Sequence, residues 1–359
     1  MPSIDNILDI HPEACLHSLF KDYKKNPCVD SCPQNAIELR PLNVDMDVCD
    51  GCGICVSVCP TDALSHKWAV SKNLINKASL QREKKLTIHC SMVNDGTTQV
   101  SCLGMLEDRL LIDLMMQRGE DLELISGVCD GCEKKPGGEI ALQNLEVANN
   151  IMLLSRQKER TFIVPDKQLK NETLSGYTRR GLFTSLGSKV SEFISDISEM
   201  RDSKEWQRGT TTIKRKHLLE LIEGLEDVAD DAAVDGPLPF HGKEVNSLCD
   251  GCGGLWHCAT FCPTGALSLS AKGSQSEVAI SFETGRCIDC KMCEMVCDKE
   301  AIKRVPVAAA QLAHLSWKET LIVFEVGSCV ECGSRTRGLQ ENLCTDCSQR
   351  QRKMGWDIR

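Results

Sequence analysis

Residues 48–65 read VCDGCGICVSVCPTDALS, and residues 248–269 echo them as LCDGCGGLWHCATFCPTGALSL. In the first stretch Cys49, Cys52, Cys55 and Cys59 keep the spacing C-x2-C-x2-C-x3-C-P, ending at Pro60. Cys287, Cys290, Cys293 and Cys297 repeat it, with Asp298 in place of the proline. Cys249, Cys252, Cys258 and Cys262 stretch one interval to five residues before Pro263. Cys28 and Cys32, before Pro33, keep only the end of such a motif. Thiols separated by two residues make the backbone curl round a common centre, so that amide N–H groups point at sulfur. Gly51, Gly53, Gly251 and Gly253 permit the tight turns this needs. A paired motif that occurs twice predicts two related modules, over residues 10–72 and 242–308.

Working outward, the chain has 23 cysteines in 359 residues but is only 4% aromatic, so metal ligation is expected to hold small cores together. A secreted disulfide framework is disfavoured, because the start, MPSIDNILDIHPEACL, has no basic region followed by an apolar stretch. Reduced thiols suit a cytoplasmic location in an anaerobic or facultative cell. No apolar run reaches the roughly 18 residues of a membrane span. The formal charge of −9 disfavours general nucleic-acid binding and favours a basic docking patch on a redox partner.

The stretches DVCDGCGICVSVCPTDAL, NPCVDSCPQNAI, LCDGCGGLWHCATFCPTGAL and RCIDCKMCEMVCDKEAI resemble bacterial two-cluster 4Fe-4S ferredoxins. The resemblance covers well under half of the chain. It implies a compact ferredoxin fold and outer-sphere electron transfer. It also implies crossed ligation, the last cysteine of each motif serving the other motif's cluster. One 4Fe-4S site is then Cys287, Cys290 and Cys293 with Cys262, and its neighbour is Cys249, Cys252 and Cys258 with Cys297. In the first module Cys49, Cys52 and Cys55 go with Cys32. The fourth site has Cys15, Cys28 and Cys59 but lacks an identified fourth ligand. A regular motif would carry cysteines at 22 and 25, where Asp22 and Lys25 stand. Asp22, His17 or Ser18 are candidates, and a 3Fe-4S centre or no cluster at all are the alternatives. His11 and His17 are otherwise read as surface residues. The Cys252-x5-Cys258 insertion, with Trp256 and His257, resembles loops in iron–sulfur subunits of larger oxidoreductases.

Two more quartets remain. Cys329-x2-Cys332 and Cys344-x2-Cys347 are two knuckles of the kind that build a tetrahedral S4 site. The unit resembles a zinc ribbon, with rubredoxin-like iron as the runner-up, and Arg335, Arg337, Arg350, Arg352 and Lys353 surround it. Cys90, Cys102, Cys129 and Cys132 lie in a stretch, 84–158, that reads β-α-β-α. Cys90 and Cys129 fall at predicted strand ends, where helix N-termini would stabilise thiolates. A further iron–sulfur cluster is the first expectation there, zinc the second, and a redox-active C-x-x-C pair at Cys129 and Cys132 the third.

The expected fold class is α+β: two ferredoxin-like dicluster modules, a central small α/β unit over 84–158, a helical connector and linker over 160–240, and a zinc-ribbon-like unit over 318–359. YTRRGLF (177–183) looks like a twin-arginine motif but is internal, and is read as the start of an amphipathic helix. The apolar face that holds Phe183 and Phe193 leaves a peripheral membrane contact open. The functional expectation is a polyferredoxin-type electron-transfer subunit with four 4Fe-4S clusters and one zinc. It would carry electrons from a low-potential donor to a partner oxidoreductase or larger oxidoreductase complex, with no catalytic residues of its own. A thiol/disulfide reductase using the central quartet, or an iron–sulfur redox-sensing regulator, are the alternatives.

Overall fold

The computed structural model describes residues 8–66, 74–76, 85–93, 98–118, 121–154, 161, 163–165, 209–225, 236–252, 256–271, 276–307, 314–337 and 339–353. The twin-arginine-like stretch at 177–183 and the amphipathic helix expected to start there, with Phe183 and Phe193, lie outside them. The chain divides into two compact units, Met1–Ser18 with Lys24–Gln207 and Leu19–Tyr23 with Arg208–Arg359. Short helices and small sheets give an α+β protein.

The first unit opens with β1 (Leu8–Ile10), α1 (Leu16–Leu19), α2 (Pro27–Asp30), β2 (Ile37–Leu39), β3 (Leu42–Val44), α3 (Ile54–Val58) and β4 (Leu64–His66). β1 pairs antiparallel with β4, placing Ile10 opposite Leu64, while β2 and β3 form a hairpin. Leu8, Ile37, Leu42, Val44, Val56 and Leu64 bury their side chains among Cys15, Cys55 and Cys59, so the thiols are part of the core.

The same unit continues through β5 (Leu86–His89), β6 (Thr98–Gln99), α4 (Asp108–Arg118), β7 (Leu122–Ser126), α5 (Pro136–Leu154) and β8 (Ile163–Pro165). The strands form one parallel sheet in the order β6-β5-β7-β8. The sequence pattern anticipates β5, β7 and both helices. It does not anticipate β6, two residues long, or β8, which lies beyond residue 158. Neither edge strand is long enough to show a period. The β-α-β order puts Cys90 and Cys129 just beyond the carboxyl ends of adjacent parallel strands, because β5 and β7 run side by side with His89 opposite Ile125. Asn144 on α5 donates to Ser57 Oγ (2.6 Å) and to the Leu106 carbonyl (3.0 Å), tying the sheet's long helix to α3.

The second unit contains α6 (Ile213–Glu223), capped by Thr212, whose hydroxyl accepts from the Arg215 N–H at 3.2 Å. It then repeats the plan of residues 8–66: β9 (Gly242–Val245), a 3-10 turn at Ser247–Cys252, α7 (His257–Thr260), β10 (Leu267–Ala271), β11 (Glu277–Glu283), α8 (Met292–Met295) and β12 (Ile302–Val305). β9 pairs with β12 and β10 with β11, matching β1 with β4 and β2 with β3.

β13 (Lys318–Glu325) joins the far side of β11, making a three-stranded sheet with β11 in the middle. In β11, Val278, Ile280 and Phe282 alternate with Ala279 and Ser281, a pattern that by itself suggests one wet face, yet all five are buried. The neighbour across from β10 lies 35 residues or more away in the chain. Beyond it come β14 (Gly327–Ser328), β15 (Arg335–Thr336) and α9 (Thr345–Lys353), built round the last four cysteines.

Candidate functional site

In the first unit Cys32, Cys49, Cys52 and Cys55 line one cavity, walled by Leu8, Ile37 and Val44. In the second, Cys262, Cys287, Cys290 and Cys293 line one beside Leu267, Phe282 and Lys243. In each, three cysteines of one motif meet the last cysteine of the other. The matching thiols and apolar walls make these two copies of one kind of site.

The local backbone explains how three thiols reach one point. Cys49, Cys52, Cys287 and Cys290 each accept a hydrogen bond from the N–H two residues on, at Gly51, Ile54, Asp289 and Met292. The turns between them need left-handed residues. Gly51 (φ 69°) and Gly53 (φ 75°) supply these in the first unit, and Asp289 (φ 49°) and Lys291 (φ 65°) at the equivalent positions of the second. The remote cysteines are held alike. Cys32 Sγ accepts from Ala36 N–H at 3.3 Å, Cys262 from Leu267 at 3.4 Å, and Cys297 from Ala301 at 3.3 Å. Asp298, in place of proline, therefore does not change that corner. Cys59 and Cys262 each lie 3.9 Å from the threonine hydroxyl two residues on, Thr61 and Thr264.

Burial pushes the thiols up, Cys52 and Cys290 to about 12, with Cys55 and Cys293 also raised, partly because they crowd one another. Four thiolates in one apolar pocket are unfavourable unless cations share it, and metal coordination deprotonates such thiols outright. The donor set, its geometry and its converging N–H groups all fit a thiolate-held cluster. The two surroundings differ in charge. Near the second cavity lie Lys243, whose ammonium is held by Glu294 at 2.6 Å, and the buried guanidinium of Arg215, which donates to the Cys287 carbonyl and stacks on Phe240. The first has Asp50, which accepts from Cys52 N–H at 3.1 Å and pairs with Lys134 at 3.3 Å.

Of the neighbouring sites, Cys15, Cys28 and Cys59 share the first unit's core; burial raises the thiols of Cys15 and Cys28, Cys28 to about 12, and the nearby Cys59 adds to both. His17 is buried rather than on the surface, its Nε2 3.1 Å from the Lys25 carbonyl, because α1 turns its side chain inward. His11 is exposed, Ser18 donates to the Pro12 carbonyl at 2.7 Å, and Asp22 is exposed. Cys249, Cys258 and Cys297 pack on one cluster with Cys262, Cys287 and Cys293, and Trp256 lies against it, while the Cys252 side chain is outside the described residues. His257 instead meets Phe261 edge-on at 5.7 Å between ring centres.

The last quartet has a different geometry. Cys329, Cys332, Cys344 and Cys347 bring their sulfurs within 4.8 Å of one another, with Cys332 and Cys344 3.8 Å apart. A tetrahedron with metal–sulfur bonds of about 2.3 Å has edges of about 3.8 Å, so these sulfurs suit a single ion. Hydrogen bonds from the N–H groups of Cys332 and Cys344 hold the Cys329 thiol down at about 6, and the Ser334 hydroxyl lowers Cys332. Arg337 lies over the Phe324 ring at 4.5 Å, so this member of the expected basic rim packs inward. Among the described residues no other group of three or more such ligands is as close. The central quartet, Cys90, Cys102, Cys129 and Cys132, is brought to one end of the parallel sheet but more widely spaced.

Residues 22–69 match the family of LdpA Fe-S cluster-binding domains, and residues 248–301 match the 4Fe-4S dicluster domain family. No curated protein matches the chain. The chain is therefore an iron–sulfur protein of ferredoxin type. Its two matched stretches hold the two cavities lined by cysteines, and no described helix is long and apolar enough to cross a membrane.

Proposed function

We propose that the protein is a multi-centre electron carrier of the polyferredoxin type, relaying single electrons from a low-potential donor to a partner oxidoreductase in the cytoplasm. Cys32, Cys49, Cys52 and Cys55 hold one 4Fe-4S cluster, and Cys262, Cys287, Cys290 and Cys293 another. Cys249, Cys252, Cys258 and Cys297 hold the second module's other cluster. Cys15, Cys28 and Cys59 hold the first module's, completed by a ligand from outside the cysteines. Each cluster supplies a one-electron couple. The chain supplies thiolates, N–H donors that steady the added negative charge, and apolar walls that keep water away. The observation that carries the reading is the crossed composition of the two cavities, three thiols from one motif and one from its partner. Residues 318–359 are read as a structural zinc unit, closing on its own four thiolates and leaving no open position for chemistry.

Two observations weigh against the alternatives. A thiol/disulfide enzyme needs an acidified thiol, whereas burial raises that of Cys129. A DNA-reading sensor needs a free basic face, and Arg337 is turned onto Phe324. The test is anaerobic purification with iron, sulfide and zinc quantitation and EPR of the reduced protein. Four cubanes, or five with a central one, and one zinc are expected per chain. Iron far below that beside intact disulfides contradicts the reading.

A further inference from the structure

Two loops and a helix start converge on the central quartet. Gly137 and Gly138 open α5, and a β-carbon on each would fall 2.3 Å from Cys102 Sγ and 2.7 Å from Cys129 Sγ respectively. These two sulfurs therefore lie against the bare backbone of the first turn of a 19-residue helix, where the aligned peptide dipoles favour negative charge. Gly127 holds the next pair. Its N–H donates to Cys90 Sγ at 3.2 Å, and its carbonyl lies 3.9 Å from Cys129 Sγ. A β-carbon there would meet Met92 Cβ at 2.6 Å, so this position also excludes a side chain. Cys132 Sγ accepts from Lys134 N–H at 3.4 Å, and Cys102 accepts from Gly104. This is the same two-residue N–H pattern found at Cys49, Cys52, Cys287 and Cys290. Burial lifts Cys102 to about 11, and Cys90, Cys129 and Cys132 add to the rise, which places all four within electrostatic reach of one another.

The spacing separates single ions from clusters. A zinc tetrahedron needs sulfurs about 3.8 Å apart, as the last quartet has. The central four do not come that close. They keep the N–H donors and the helix start without being drawn to the spacing of a single ion.

A second set of contacts joins this site to the cavity of Cys32, Cys49, Cys52 and Cys55 inside the same compact unit. Cys52, Ile54 and Cys102 belong to one buried apolar cluster. The vacant β-position of Gly137 touches both Cys102 Sγ and Ile54 Cδ1, the latter at 2.9 Å. Lys134 spans the two loops. Its ammonium is 3.3 Å from Asp50 Oδ2 and 3.1 Å from Ser101 Oγ, while its own N–H is on Cys132 Sγ. Asp50 in turn accepts from Cys52 N–H.

We propose that Cys90, Cys102, Cys129 and Cys132 ligate a polynuclear iron–sulfur cluster, and that this cluster is the direct one-electron exchange partner of the one held by Cys32, Cys49, Cys52 and Cys55, with Lys134 as the positioning charge between them. The first half stands on the central residues alone; the second rests on the function proposed above. In the exchange one electron leaves the reduced cluster of the first site, which is oxidised, and enters the oxidised central cluster, which is reduced. No bond is made and no proton moves. A low-potential one-electron donor protein supplies the electron. Lys134 lowers the energy of added negative charge at either centre.

The test uses the full-length protein purified without oxygen. In the double variant Cys129→Ser, Cys132→Ser, two to four iron atoms per chain and an equal amount of sulfide are lost while zinc is retained. Loss of zinc instead, or no loss of metal, overturns the assignment. Alkylation of the wild-type protein keeps the result decisive if the double variant does not fold. Cys129 and Cys132 resist alkylation until iron is stripped; modification with the iron still bound overturns it. Lys134→Gln addresses the second half. Redox titration followed by EPR is expected to show both the signal absent from the double variant and the signal absent from Cys49→Ser moving to more negative potential. A shift at one centre or neither overturns the pairing and leaves the central cluster standing.

Discussion

Replacing Gly53 by alanine tests whether the first cavity owes its shape to one turn. Gly53 sits between Cys52 and Cys55 with φ 75°, and a β-carbon there would lie 2.6 Å from His66 Cε1 and 2.9 Å from Met105 Cβ. The left-handed conformation costs a residue with a side chain about 1–2 kcal/mol. The two contacts add overpacking of about 1–3 kcal/mol. The imidazole cannot swing aside freely, because His66 Nε2 lies 3.3 Å from the Met105 carbonyl, and Met105 Cβ is fixed to its backbone. The expected penalty is about 3 kcal/mol, or a factor of ~100 in rate if it is relieved on opening. The assay is release of iron to a chelator in oxygen-free urea, assigned to this centre by its EPR signal. Gly131→Ala is the control. Gly131, between Cys129 and Cys132 of the central site, has φ 92° and nothing within 4 Å of its β-position, so only the backbone penalty applies and about tenfold is expected for the iron proposed at that central site. If Gly53→Ala releases iron no faster than Gly131→Ala, packing against His66 and Met105 does not hold the cavity shut.

Other expectations follow from charge, metal and capping. Lys243→Met removes a cation from the wall of the second cavity and should move that centre's potential negative by the order of 100 mV, the one-electron equivalent of a few kcal/mol; an unmoved potential in an EPR-monitored titration sinks the idea. Cys344→Ser should release the zinc proposed for that quartet, measured by atomic absorption, and leave the iron count unchanged, since the four sulfurs within 4.8 Å form a site of their own. Thr212→Ala removes the hydroxyl that accepts from Arg215 N–H and should destabilise α6 by about 1 kcal/mol; hydrogen exchange that speeds up in the first turn of α6 is the expected sign, and equal protection in the variant refutes it.

Sequence spacing carries these sites because ligation is local. Three cysteines at intervals of two residues can hardly avoid one another, so the sets at Cys49 and Cys287 are readable before any fold is known. The central quartet was harder. Cys90 and Cys102 come from separate loops of a parallel sheet, and their meeting with Cys129 and Cys132 depends on β5 and β7 being neighbours. The glycines that make room for them, Gly127, Gly137 and Gly138, look like ordinary turn residues in sequence. Asp289 and Lys291 were missed for the opposite reason. Nothing about an aspartate or a lysine announces a left-handed turn, and their role shows only when they are set against Gly51 and Gly53. The third strand beside β11 was invisible because it belongs to a distant segment whose own pattern, Lys318–Glu325, reads simply as a strand.

The two cavities share a ligand plan, yet the turns that build them are not equally free of strain. Gly51 and Gly53 adopt positive φ at no steric cost, whereas Asp289 and Lys291 pay for theirs with about 1–2 kcal/mol each. Something must hold the second turn in place, and the charges around it do. Lys291 Nζ lies 3.4 Å from Asp289 Oδ1, while Arg304 Nε and His241 Nε2 lie 3.5 and 3.6 Å from Asp289 Oδ2. Burial, with Arg304 and Lys291 alongside, holds His241 down at about 4 against the pull of Asp289. The imidazole is therefore neutral near pH 7, and Arg304 and Lys291 carry the positive charge at the carboxylate. The cations felt by the thiols of Cys287 and Cys290 are others, Lys243 at both and Arg215 at Cys287. The second unit therefore divides its charge, one group round the Asp289 turn and another at the sulfurs, whereas the first leaves the turn to glycine and the charge to the Asp50–Lys134 pair.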